Sequence, residues 1–190
     1  MPHSRRQFLA TSLALAATPT FALAQQDFVT EAPIGTVKRR VSGFPTHRWQ
    51  DHFDTLKNGA ILCDTTSRAL FYWSEDLSVT RIYPTSIPLT DELTRRGKTE
   101  VVLKRPAPDW RPTPNMLERN PDLPTYIGPG PENPLGTRAL NLSWQYYRIH
   151  GTNDIRKIGR RSSSGCIGLF NQHIEELYEL AQVGTQVVLI

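Results

Sequence analysis

One histidine and one cysteine in this chain stand where they could do covalent chemistry. Ile149-His150-Gly151-Thr152 is followed, sixteen residues after His150, by Ser162-Ser163-Ser164-Gly165-Cys166. An unperturbed thiol is only about 3% thiolate at neutral pH, so a cysteine nucleophile needs a neighbour that takes its proton. An imidazole does this and stabilises the resulting anion, provided its other nitrogen is held by an acceptor that fixes the tautomer. A strand ending at His150 and a tight Ser/Gly loop ending at Cys166 would bring the two side chains together. Gly165 permits the sharp turn, and the backbone N–H groups around Ser164, Gly165 and Cys166 would face a developing oxyanion.

Other chemistries lack their residues. No histidine, cysteine or acid spacing fits a metal site, so neither metal nor cofactor is expected. No glycine-rich loop ends in the Lys-Ser/Thr of a phosphate cradle, and no basic cluster is interleaved with aromatics as a nucleic-acid surface requires. His173 reads as solvated surface, and His47 and His52 belong to an N-terminal extension. Cys63 lies in the apolar run Ala60–Asp64, where a small buried side chain is the ordinary reading. A structural Cys63–Cys166 disulfide is the competing use of both thiols.

The elements that must position the pair are mostly strands. Residues 60–64, 69–73, 79–83, 100–104, 139–142, 146–150 and 186–190 are short β-rich runs with the turn spacing of antiparallel sheets. Between Pro106 and Pro134 the density of proline excludes regular structure, and Trp110, Met116, Leu123, Tyr126 and Ile127 favour an ordered loop over a binding face. Asn171 reads as the N-cap of a short amphipathic helix carrying Ile174, Leu177, Tyr178 and Ala181, with Gly184 ending it. The expectation is a mainly β domain with one short C-terminal helix.

The N-terminus reads as an address. Ser4-Arg5-Arg6-Gln7-Phe8-Leu9 is a twin-arginine pattern, followed by apolar Leu13 to Ala17 and an A-x-A cleavage pattern at Ala22 to Ala24. The apolar stretch is too short to span a bilayer. Removing residues 1–24 from 190 leaves 166, enough for one domain with a core, and lowers the formal charge from +4 to +2. Export to the periplasm is expected, with 25–57 as an extension that wraps a catalytic domain at 58–190. A weakly basic exported protein tolerates anionic wall polymers.

His150-Gly151-Thr152-Asn153, Ser163-Ser164-Gly165-Cys166-Ile167 and Asn171 resemble the His-Gly…Ser-x-Gly-Cys…Asn signature of the L,D-transpeptidase (YkuD-type) catalytic domain. Asn133 to Leu140 is similar to the segment preceding it. The resemblance implies a β-sandwich-like fold and a cysteine acyltransferase acting on peptidoglycan stem peptides. On it, Cys166 is the nucleophile and His150 the base, oriented by the Gly151 carbonyl. Ser163, Ser164 and Gly165 shape the oxyanion region, and Arg138 and Asn171 are candidates for substrate contact. The amine acceptor is another stem, giving a 3→3 cross-link, or a protein. A carboxypeptidase of the same fold and a non-catalytic wall-binding module are the alternatives. The chain departs from the family in placing Gly168 where an arginine commonly stands two residues after the nucleophile. Arg138, Arg148, Arg160 and Arg161 are the cations available to replace it.

Overall fold

The structure, a computed structural model, describes residues 44–190. The proposed twin-arginine signal, and the extension as far as residue 43, lie outside the described residues. Five strands build one wall of the sheet: β1 (Ala60–Asp64), β2 (Ala69–Trp73), β3 (Thr80–Pro84), the C-terminal β10 (Gln186–Leu189) and the first half of β5 (Gly97–Pro106). The other wall adds β6 (Arg138–Leu142), β7 (Arg148–His150) and β9 (Ile167–Gly168). The order is β3-β2-β1-β10-β5-β6-β7-β9, with a separate pair of β4 (Ile87–Pro88) and β8 (Arg161–Ser163). The pairing register of β5 slips between Val101 and Leu103, an irregularity of the kind that bends a strand and lets one sheet curl around a core.

The sheet is mixed rather than antiparallel throughout. β1 runs parallel to β10, β7 to β9, and β4 to β8. The missed strands β4, β8 and β9 have only two or three residues each, too few to show a period.

Every residue of β1 and β2 is buried, because both faces of this wall are covered. Alternation sends Ile61, Cys63, Leu70, Tyr72, Val187 and Leu189 to the main core, with Ile174 and Leu177. Ala60, Leu62, Phe71, Trp73 and Val188 face the other way, against Phe53 and Leu56, with Phe44 and Trp49 beside them. The described part of the extension therefore packs on the outer face of the sheet.

Among the described residues there are two α-helices, not one. α1 (Pro114–Arg119) lies inside the proline-rich segment, with Thr113 as its N-cap residue and Pro114 as its first residue. Proline at that position removes only an N–H that the helix leaves unpaired, so proline density did not exclude helix here. α2 (Asn171–Leu180) carries Ile174, Leu177 and Tyr178 as predicted, but it ends at Leu180 with Ala181 as its extended C-cap residue, short of Gly184. Its N-cap residue is Phe170, not Asn171, and Phe170 makes no side-chain cap bond. His173 is not solvated surface either. It lies half-buried between the Tyr83 and Phe170 rings, 5.1 and 5.4 Å away, and burial lowers its pKa. No described helix is long and apolar enough to cross a membrane.

Candidate active site

β7 and β9 lie side by side, with His150 opposite Gly168 and Ile149 opposite Ile167. His150 thus ends one strand where Cys166 leads into its neighbour, and both line a cavity of about 570 Å³. The chain between them makes a 3-10 turn at Ile155–Lys157 and then β8. Cys63 and Cys166 are free thiols. Cys63 is sealed in the core, where desolvation drives its pKa up.

His150 Nδ1 is within hydrogen-bond reach of the Gly151 carbonyl oxygen. A carbonyl can only accept, so Nδ1 carries the hydrogen and Nε2 keeps its lone pair. Burial pushes the imidazole down to about 4, and the positive charges of Arg148 and Lys157 act in the same direction. Burial also raises the Cys166 thiol, only partly offset by Arg148. Both shifts favour the neutral thiol and the neutral imidazole over the ion pair in the empty site. The thiol itself donates to the Tyr146 carbonyl at 3.4 Å. Tyr146 stands at φ 66, a left-handed conformation unusual for a residue with a ring. Its place beside the nucleophile makes that conformation a feature of the site.

An expected pH profile follows. The rate constant for acylation of the free protein by a β-lactam should hold down to about pH 5 and fall with a limb near 4, since only the neutral imidazole accepts the thiol proton. Stopped-flow acylation rates between pH 3.5 and 8 measure it. A limb at the ordinary imidazole value near 6.5 would show that the base is not desolvated.

The loop before the nucleophile is tied to itself. Ser163 Oγ donates to the Cys166 carbonyl at 2.5 Å, and Gly165 makes the turn at φ 134. The Ser164 hydroxyl turns outward and accepts from Arg119 at 3.1 Å. That bond ties α1 to the catalytic loop. Trp110, Met116 and Arg119 line the same cavity, so the proline-rich segment forms one of its walls. Its base is closed by the Trp110–Ile127 bridge and by buried Asn133, whose amide donates to the Pro108, Ile127 and Gly128 carbonyls. The Thr113-Pro114 pair was the signal for this wall.

Neither candidate for substrate contact lies in the cavity. Arg138 pairs in β6 beside Ala139, the partner of His150, so alternation puts it on the opposite face of the sheet. There it covers the Tyr178 ring at 5.6 Å and donates to the Thr137 carbonyl. Asn171 Oδ1 instead accepts from the N–H groups of Thr152 at 3.0 Å and Thr137 at 3.3 Å. It fastens the turn after His150 to the turn before β6. A Cβ on either Gly136 or Gly151 would overlap that oxygen.

Gly168 sits close against Ser86. It bridges Ser86 through two backbone bonds of 2.8 and 3.1 Å, and any Cβ would overlap the Ser86 hydroxyl. A larger residue fits only if Ser86 gives way. Of the four cations available to replace an arginine there, Arg148 alone lines the cavity. Arg161 pairs with Asp91 at 3.4 Å.

The profile of the L,D-transpeptidase catalytic domain (YkuD) matches residues 58–189. The chain belongs to this family. It is 52% identical over 181 residues to a putative L,D-transpeptidase of Fuscovulum blasticum, covering 95% of both chains. It is 37% identical over 142 residues to the probable L,D-transpeptidase ErfK/SrfK of Escherichia coli, covering 72% of this chain and 45% of that one. The chain thus spans under half the length of this enterobacterial relative. L,D-transpeptidase 3 of Mycobacterium tuberculosis superposes with a TM-score of 0.55 at 15% identity, over 70% of this chain and 61% of that one. At that identity the likeness shows the fold, and it bears out the mainly β expectation. Membership of the L,D-transpeptidase family makes the chain an enzyme of that class, with a peptidoglycan transpeptidase type of function.

Proposed function

We propose that this chain is an exported, cysteine-dependent L,D-transpeptidase acting on peptidoglycan stem peptides in the periplasm. The observation that carries the reading is His150, its Nδ1–H held by the Gly151 carbonyl, sharing one cavity with Cys166. His150 Nε2 takes the thiol proton as Sγ attacks the carbonyl of the stem's third residue. The Cys166 N–H, at the end of the Ser163–Gly165 turn, faces the oxyanion. Collapse expels terminal D-alanine, whose nitrogen receives the proton from His150, and leaves a thioester. An amine, either the side chain of another third residue or a protein group, attacks the thioester and gives its proton to His150. The thiolate departs and is reprotonated. When the acceptor is another stem, the donor's third-residue carbonyl becomes bonded to the nitrogen of the acceptor's third-residue side chain, which makes the 3→3 cross-link.

Purified mature protein incubated with a disaccharide-tetrapeptide should release D-alanine and yield a dimer whose mass is two monomers less one D-alanine. Release of D-alanine with tripeptide as the sole product would assign a carboxypeptidase. Absence of any thioester mass on the protein would defeat the enzymatic reading and favour wall binding alone.

A further inference from the structure

Four cations line the cavity, and two of them are otherwise engaged. Arg111 is near Asp109 at 3.9 Å and stacks over the Tyr126 ring, and Arg119 donates to Ser164. Arg148 and Lys157 differ. Among the described residues neither side chain makes an ion pair or a hydrogen bond. Arg148 is two residues before His150 on β7, so their side chains share a face, with Cα atoms about 7 Å apart. Lys157 ends the 3-10 turn of the excursion that leaves His150 and returns to Cys166. Both are only half exposed. The acids on the wall, Glu92 and Glu132, pair with neither.

Two unpaired cations beside a base are a cost to the empty site, because each opposes protonation of His150 during turnover. A bound anion removes that cost. The guanidinium fork matches a carboxylate in two hydrogen bonds, and an ammonium adds a point charge. Resting on the transpeptidase reading above, we infer that Arg148 and Lys157 form a carboxylate-binding subsite that selects the donor stem. Gly168 supplies no cation and Arg111 and Arg119 are engaged elsewhere, which leaves Arg148 and Lys157 as the lining cations free to meet an acid. Beside the bond that is cleaved, a donor stem offers two carboxylates: the one on the side chain of its diamino acid, and the one on the terminal D-alanine that leaves.

The test compares three soluble tetrapeptide donors: the free acid, the amide of the side-chain carboxylate, and the amide of the terminal carboxylate. D-Alanine or D-alaninamide release is followed with the wild type and with Arg148→Met/Lys157→Met. One amide should lower wild-type kcat/KM about 10–100-fold, chiefly through KM, in line with the loss of one charge-assisted pair. In the double variant the same amide should cost less than twofold. Which amide behaves so identifies the carboxylate. The variant's thermal melt shows that it folds. Both amides within twofold of the acid in the wild type would overturn the subsite. So would a double variant that loses the same factor with all three donors. Failure of all three donors to acylate wild-type Cys166 is a different result, and it overturns the transpeptidase reading together with the subsite.

Discussion

Exposed to a carbapenem, the Cys166→Ala protein should gain no mass, while the Cys63→Ala protein should acylate within about twofold of wild type. The two thiols are chemically alike and structurally opposite. Cys166 lines the cavity beside His150, whose Nδ1 is fixed by a carbonyl, and its Sγ–H already points to a carbonyl oxygen. Cys63 is 2% exposed in β1, with desolvation holding its proton on. Removing a nucleophile that acts as a unit with its base costs on the order of 10⁴-fold or more. Removing Cys63 takes one atom from a packed core, about 1–2 kcal/mol, read as a fall of a few degrees in Tm with the acylation rate kept. Intact-mass spectrometry with peptide mapping reads the first result and a melt reads the second. Equal loss of acylation in both variants would mean that the cysteines act together, and the assignment of Cys166 as the nucleophile would fall.

Local sequence patterns carried the pair itself and most of the sheet. β1 and β2 are apolar runs long enough to display burial on both faces, β6 shows its buried Ala139, Leu140 and Leu142, and the α2 stripe shows its period over nearly three turns. What lay beyond reach was set by contacts distant in sequence. Asn171 has the residue type of a cap, and helix-end statistics assign it there. Only the closeness of Gly136 and Gly151, 35 and 20 residues away, turns its oxygen to the Thr137 and Thr152 amides instead. Gly168 read as a missing arginine, yet it is half of a close bridge with Ser86, a residue that carries no signal of its own. Arg138 was the exception, since its face was legible. It is one residue from the partner of His150, and period two sends it away from the site. The wall made by α1 was legible too, in Thr113-Pro114, but the prolines around it outweighed that pair.

Asn171→Ala should lower both stability and acylation, and Asn171→Asp should separate the two effects. The alanine variant leaves the Thr137 and Thr152 N–H groups without their acceptor, and Thr152 is 4% exposed. Each unsatisfied buried donor costs about 1–3 kcal/mol, so a Tm lower by roughly 5–15 °C is expected for a domain of this size. The same clamp holds the backbone that follows Gly151, whose carbonyl fixes the His150 tautomer. Loosening it lets the imidazole turn, and displacement of a catalytic group by about 1 Å costs on the order of 10²-fold. The aspartate keeps an acceptor oxygen in the same place, so Tm and geometry should recover. It also brings a negative charge to the turn beside His150, which favours the imidazolium and should move the acid limb of acylation up from its value near 4. Acylation rates taken well below both melting temperatures distinguish positioning from mere support. If Asn171→Ala acylates at the wild-type rate wherever it is folded, Asn171 stabilises the turn without orienting the base.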